Sequence, residues 1–183
     1  MRNLKPLLIV TFTIFICTSF AQTKNVLFLG NSYTGVNNLP LLTYNLALSL
    51  GDTINYDSNT PGGYSYQGHA TNATSLAKIA QGNWDFVVLQ EQSQKPSFPP
   101  SQVATEVYPY AQILVDSIKS ANACAEPLFY MTWGRKFGDA GNCAALPWLC
   151  TYQGMDSALA VSYNTMGQQN DAFVSPVGAV WNY

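Results

Sequence analysis

Val26-Leu27-Phe28-Leu29 runs straight into Gly30-Asn31-Ser32-Tyr33-Thr34, and no other stretch restricts the fold as much. Four consecutive apolar residues that stop at a glycine read as a buried strand ending in a tight turn. A strand that is apolar on both faces belongs in the middle of a parallel sheet, covered above and below. In open sheets of that kind chemistry gathers just beyond the carboxyl ends of the strands, and Ser32 stands at such an end. A plainer reading is also open. Asn31 and Ser32 are helix-capping residue types and need do no more than start the next helix.

The rest of the chain alternates strand and helix. The first strand spans residues 25–29. Asn37 or Asn38 caps a helix with Pro40 in its first turn, running to Leu50 and stopped by Gly51. Leu42, Leu46 and Leu50 lie four apart and form its apolar face. A second strand covers 53–57, a turn-rich stretch 58–68, and a helix 74–81. The third strand is 84–90, with Phe86-Val87-Val88-Leu89 as its buried run. After a proline-rich loop, Ser101 caps a long helix that Pro109 must kink or split. A fourth strand spans 127–132, a long loop 133–151, a last helix 156–169 and a fifth strand 173–177. Loops of that length tend to be functional. Five strands alternating with helices predict a three-layer α/β/α sandwich on a five-stranded parallel sheet with right-handed crossovers. One domain suits a chain of 183 residues.

The N-terminus points to export. Arg2 and Lys5 precede an apolar run from Leu7 to Cys17, and Ser19 and Ala21 are small residues before a cleavage point. Residues 1–21 read as a secretory signal peptide, leaving a domain at 22–183 in a secreted or periplasmic setting. The run is too short for a good membrane span. Export makes a disulfide between Cys143 and Cys150 feasible and leaves Cys124 odd. The single histidine, His69, and the lack of a CxxC spacing argue against zinc. Charged residues are only 10% of the chain and the net charge is −2, which argues against a nucleic-acid partner.

Three strand ends carry small or amide residues: Gly30-Asn31-Ser32, then Asn59-Thr60-Pro61-Gly62-Gly63-Tyr64-Ser65, then Gln90-Glu91-Gln92-Ser93-Gln94. In a parallel sheet all three converge on one edge. A serine that attacks an ester needs a base and needs donors aimed at the developing oxyanion. Glycines let a backbone N–H face a ligand, and a glutamine supplies an amide donor. Each feature alone also fits an ordinary turn or a solvated amide; their succession in one chain is what points to a site.

These residues resemble the SGNH/GDSL hydrolases, esterases on a flavodoxin-like α/β/α fold. Gly30-Asn31-Ser32 resembles the family's first block, with Asn31 where Asp is usual. The resemblance implies that Ser32 is the nucleophile and that its own N–H is one oxyanion donor. Gly63, or Gly62, resembles the second-block glycine. Val87-Val88-Leu89-Gln90-Glu91-Gln92 resembles the third block, with Gln92 nearest the family's asparagine and Gln90 the alternative. The implied substrate is a small-molecule or carbohydrate acyl ester, O-acetyl foremost, with no metal or organic cofactor. The family's closing Asp-x-x-His block has no counterpart after Val177, so the resemblance reads the chain as lacking its C-terminal end. His69 is the substitute to weigh, as base, substrate contact or plain polar residue. Arg135 and Lys136 could meet an anionic substrate, and Trp133, Trp148 and Tyr152 could stack on sugar rings; solvation and packing explain them equally. The rival reading is a catalytically inactive carbohydrate-binding module on the same fold. Oligomeric state is not legible.

Overall fold

A computed structural model describes residues 23–181. The expected signal peptide at 1–21 lies outside the described residues. The first strand, β1 (Lys24–Leu29), is followed by the four-residue α1 (Ser32–Gly35), α2 (Leu39–Ser49) and β2 (Ile54–Asn59). Then come α3 (Tyr66–Thr71), α4 (Ala73–Ile79), β3 (Phe86–Leu89), α5 (Pro100–Glu106), α6 (Tyr108–Ala121), β4 (Glu126–Tyr130), α7 (Tyr152–Gln169), β5 (Phe173–Ser175) and α8 (Val177–Val180). The expected long helix is indeed split. α6 restarts at Tyr108 with Pro109 in its first turn, where a missing N–H costs nothing. α3 was not expected: Gly68 and His69 break any apolar period.

All strands are parallel, in the order β2-β1-β3-β4-β5, the expected flavodoxin-like arrangement. Leu29 pairs with Asn59 on one side and with Leu89 on the other. Three strands therefore end level, and the turns that follow leave from the same edge. The chain first steps from β1 to β2, then reverses to add β3, β4 and β5. β1 and β3 are thus the neighbours at which the winding direction switches, the place where open α/β sheets form their crevice.

Alternation along the strands divides the core. Leu27, Leu29, Val87, Leu89 and Phe129 join one large cluster with Tyr66, Ile79, Val103, Leu114, Met155 and Tyr163 from the helices α3 to α7. Val26, Phe28 and Val88 form the other, smaller cluster, and its packed neighbours all come from strands. Among the described helices α2 is the one that lines this second face. Leu39 and Thr43 with Val26, Phe28, Phe86, Val88, Leu128 and Tyr130 line an apolar trough of about 340 Å³. The expected stripe Leu42, Leu46, Leu50 points the other way: these side chains are 53%, 62% and 73% exposed. α2 is apolar nearly all round, so spacing alone does not select the face that packs.

Candidate active site

The turn after β1 is held by polar groups that are almost all buried. Asn31 is the N-cap of α1; its Oδ1 accepts the N–H of Tyr33 at 3.0 Å. Ser32 is the first helical residue and, unlike its buried neighbour, is exposed. The capping role therefore belongs to Asn31, and it leaves the serine hydroxyl at the rim. Gly30 is required here. A Cβ would stand 2.5 Å from Thr34 Oγ1 and 2.7 Å from Gln90 Oε1.

Asn31 also connects the three turns. Its Nδ2 donates to the carbonyl of Tyr64 at 2.8 Å and, more weakly, to that of Glu91 at 3.4 Å. Its N–H donates to Gln90 Oε1 at 3.0 Å, which also accepts from Thr34 Oγ1 at 2.9 Å. An aspartate could cap α1 equally well but has no hydrogen to give to two carbonyls. That explains the amide at this position in this chain.

The turn after β2 is built with far less. Tyr64 N–H donates to Pro61 O at 3.3 Å. Gly63 has φ +70°, a left-handed conformation that glycine adopts without strain. Gly62 and Gly63 are exposed, and a Cβ on either would meet nothing within 4 Å.

In the turn after β3 the two glutamines divide their labour. Gln90 is wholly buried, and its amide is spent on Asn31, Thr34 and the carbonyl of Glu91. It is a tie between turns, not an oxyanion donor, and this corrects its place among the candidates. Gln92 is half-buried. Its Oε1 accepts the N–H groups of Gln94 and Lys95 at 3.0 and 3.1 Å, which fixes the amide and turns its NH2 to the opposite side. Between them lies Glu91, a carboxyl with no exposure, to which the sequence reading assigned no role. An acidic residue one step past a buried apolar strand end was the available signal.

His69 is corrected too. It is wholly buried and both ring nitrogens are taken. Nε2 faces the Gly30 carbonyl at 2.9 Å, and Nδ1 faces Ser75 Oγ at 2.7 Å. A carbonyl only accepts, so Nε2 carries the proton and Nδ1 receives the serine hydroxyl. Ser75 Oγ accepts in turn from Asn59 Nδ2 at 2.8 Å. Burial holds the His69 pKa below its ordinary value, against the pull of the Gly30 carbonyl. The ring is a neutral strut between the ends of β1 and β2, without a face for substrate.

A groove of about 680 Å³ opens beside Tyr33, lined by Trp133, Arg135, Lys136, Tyr152 and Trp181 among others. Tyr33 stacks on Trp133 with centroids 4.9 Å apart, and Trp181 lies 5.8 Å beyond. Arg135 is not free to greet an anion. It binds Asp139 at 2.9 Å and also the side chain of Gln94. Trp148 is drawn elsewhere by a 2.9 Å bond from Nε1 to Ser97 O. The loop carrying these residues holds a Cys143–Cys150 disulfide, a pairing that the sequence left open as feasible, and Cys124 is a free, exposed thiol. Among the described residues no group of three or more His, Cys, Asp or Glu is placed to hold a metal, and no helix is long and apolar enough to cross a membrane.

Neither a protein-family profile nor a curated protein sequence matches this chain. Solved structures do match its fold. A DUF4886 family protein from Bacteroides uniformis superposes with a TM-score of 0.67 at 15% identity, over 86% of this chain and 68% of its own. AlinE4, an SGNH-hydrolase family esterase, gives 0.54 at 11% identity over 86% and 78%. The acetyl xylan esterase AlAXEase gives 0.56 at 14% over 82% and 75%. At such identities the likeness is one of fold, and the fold is that of the SGNH hydrolases.

Proposed function

We propose, starting from that fold, that this chain is an exported ester hydrolase in which Ser32 is the nucleophile. The observation that carries the reading is the setting of Ser32. It is an exposed serine opening a helix at the β1/β3 switch point, on a turn pinned to both neighbouring turns. In this reading Ser32 Oγ attacks the acyl carbon. The N–H groups of Ser32 and Gly63 and the NH2 of Gln92 receive the oxyanion. The C–O bond then breaks, the alcohol leaves with a proton, and water releases the acid from the acyl-serine. The chain's single histidine is committed to Gly30 and Ser75 and does not serve as the base that moves those protons.

The substrate we favour is an O-acetyl ester on a carbohydrate. The Tyr33–Trp133–Trp181 row flanks the nucleophile and offers ring faces and edges to a sugar. The acetyl xylan esterase with the same fold acts on such a class by its name. Residues 1–21 serve as the export signal, consistent with the Cys143–Cys150 disulfide. Mass spectrometry of secreted protein should then find an N-terminus at or near Gln22.

The test is covalent. A fluorophosphonate probe should label the protein at Ser32, and Ser32→Ala should abolish both labelling and hydrolysis of p-nitrophenyl acetate. Unchanged turnover in that variant removes Ser32 from the mechanism. The buried, spoken-for His69 favours a second reading, a carbohydrate-binding module without turnover. Calorimetric binding of acetylated oligosaccharide with no labelling of Ser32 would establish it.

A further inference from the structure

The esterase reading leaves Glu91 without a task, although it is the most costly residue in the site to bury. Its two carboxyl oxygens serve different segments. Oε2 accepts the N–H of Tyr66 at 2.8 Å, and Oε1 accepts the N–H of Gln92 at 2.7 Å. Tyr66 opens α3 directly after the turn that holds Gly63. Gln92 carries the side-chain donor. The backbone carbonyl of Glu91 accepts from Asn31 Nδ2 at 3.4 Å and from Gln90 Nε2. One residue therefore reaches all three turns.

The electrostatic surroundings do not explain the carboxyl as an ion pair. Among the described residues no Lys or Arg forms a salt bridge with it. Lys95, the cation that acts on it from a distance, is 3.9 Å from Glu106. Tyr66 and Tyr163 are the other titratable groups that face it. Both are buried and both are pushed up by burial, so they stay protonated. An acid in such a place persists where a fixed geometry depends on it.

We infer that Glu91 is a positioning residue of this site: its carboxylate clasps the Gly63 turn to the Gln92 turn, and protonation releases the clasp. The inference rests on the esterase reading for what those turns do. The chemistry is that of acceptor count. An ionised carboxylate accepts strongly on both oxygens, whereas protonation makes one of them a hydroxyl, a donor and a poorer acceptor, which weakens the bond from either the Tyr66 or the Gln92 N–H. Burial pushes the carboxyl up to about 7, against the bonds from those two N–H groups and the field of Lys95. The clasp thus engages across the neutral range.

Two measurements on the full chain test this. In the parent, the backbone amide signals of Tyr66 and Gln92 should shift together between about pH 5 and pH 9 with one midpoint near 7. In Glu91→Gln they should stay flat. Flat signals in the parent overturn the clasp, whatever Ser32 does and whether or not the variant folds. The second measurement is the rate of fluorophosphonate labelling at Ser32. It should fall about tenfold or more in Glu91→Gln, because a misplaced donor turn costs at least that. A variant labelled at the parent's rate across the pH range overturns the positioning role. A parent that is not labelled at all counts against the esterase reading and with it the catalytic side of the clasp; the amide titration still decides whether the two turns are joined by Glu91.

Discussion

Asn31 is 2% exposed and sits in a turn whose buried polar side chains are all bonded to neighbours, leaving the hydroxyl and N–H of Ser32 at the rim. Gly63, one strand over, is exposed, and around the place where its Cβ would be there is open space. Both turns leave from the same level of the sheet. The first has its geometry built in. The second borrows it, from Asn31 Nδ2 on the carbonyl of Tyr64 and from Glu91 on the N–H of Tyr66. Precision at a sheet edge can therefore be concentrated in one turn and passed to the next by a few buried side chains.

The contrast breaks most readily at its source. Asn31→Leu leaves the Tyr33 N–H and the Tyr64 carbonyl without their partner and takes the weaker of two donors from the Glu91 carbonyl. At roughly 1–3 kcal/mol per buried unpaired group, the loss is about 4 kcal/mol. For a domain of this size that lowers the melting temperature by roughly 10 °C. Esterase activity should fall by about a hundredfold. Asn31→Asp keeps the cap but turns a donor into an acceptor against two carbonyls, so it should fall between parent and Leu. A Leu variant that melts with the parent would show that the first turn does not support the second.

A smaller effect comes from pH. Glu91 has a folded value of about 7 against an ordinary 4.5. An acid whose folded pKa is raised gives its full stability below the unfolded value and loses it as pH rises through the folded one. The loss is about 3 kcal/mol between pH 4.5 and 7. His69 acts oppositely: its value is lowered, so stability is lost as pH falls below about 6.5. The clean measurement is therefore the melting temperature of the parent relative to that of Glu91→Gln, which should fall from pH 4.5 to pH 7 as the buried carboxyl of the parent ionises. A constant difference would remove the buried carboxyl from the account of how the second turn is held.

The glycines give the finest test. Gly30→Ala drives a methyl into Thr34 Oγ1 and Gln90 Oε1 and should cost roughly 2 kcal/mol as overpacking, with a clear loss of activity. Gly63→Ala meets no atoms and pays only for its positive φ, roughly 1 kcal/mol. Thermal melts that rank the two the other way would invert the comparison.

The sheet was legible because its central strands are unbroken apolar runs. Ser32 was legible because glycine and asparagine interrupt such a run. The face of α2 was not, since a helix with leucines at 39, 41, 42, 46, 48 and 50 has no polar side to orient it. The roles of Gln90, Glu91 and His69 were not legible either. Each is decided by partners that are distant along the chain, Asn31 for Gln90, Tyr66 for Glu91 and Gly30 for His69. A polar side chain beside a strand end reads the same whether it meets substrate or disappears beneath it.

The bond between Cys143 and Cys150 has a practical side. It tightens the segment whose Asp139 holds Arg135 against Gln94, hence against the edge of the third turn. Dithiothreitol or a glutathione-rich extract that cuts it slackens that wall of the groove without touching Ser32. On the proposed carbohydrate-esterase reading, catalysis on a bulky polysaccharide would then respond to the redox state of the buffer, while turnover of a minimal chromogenic acetate would stay unchanged.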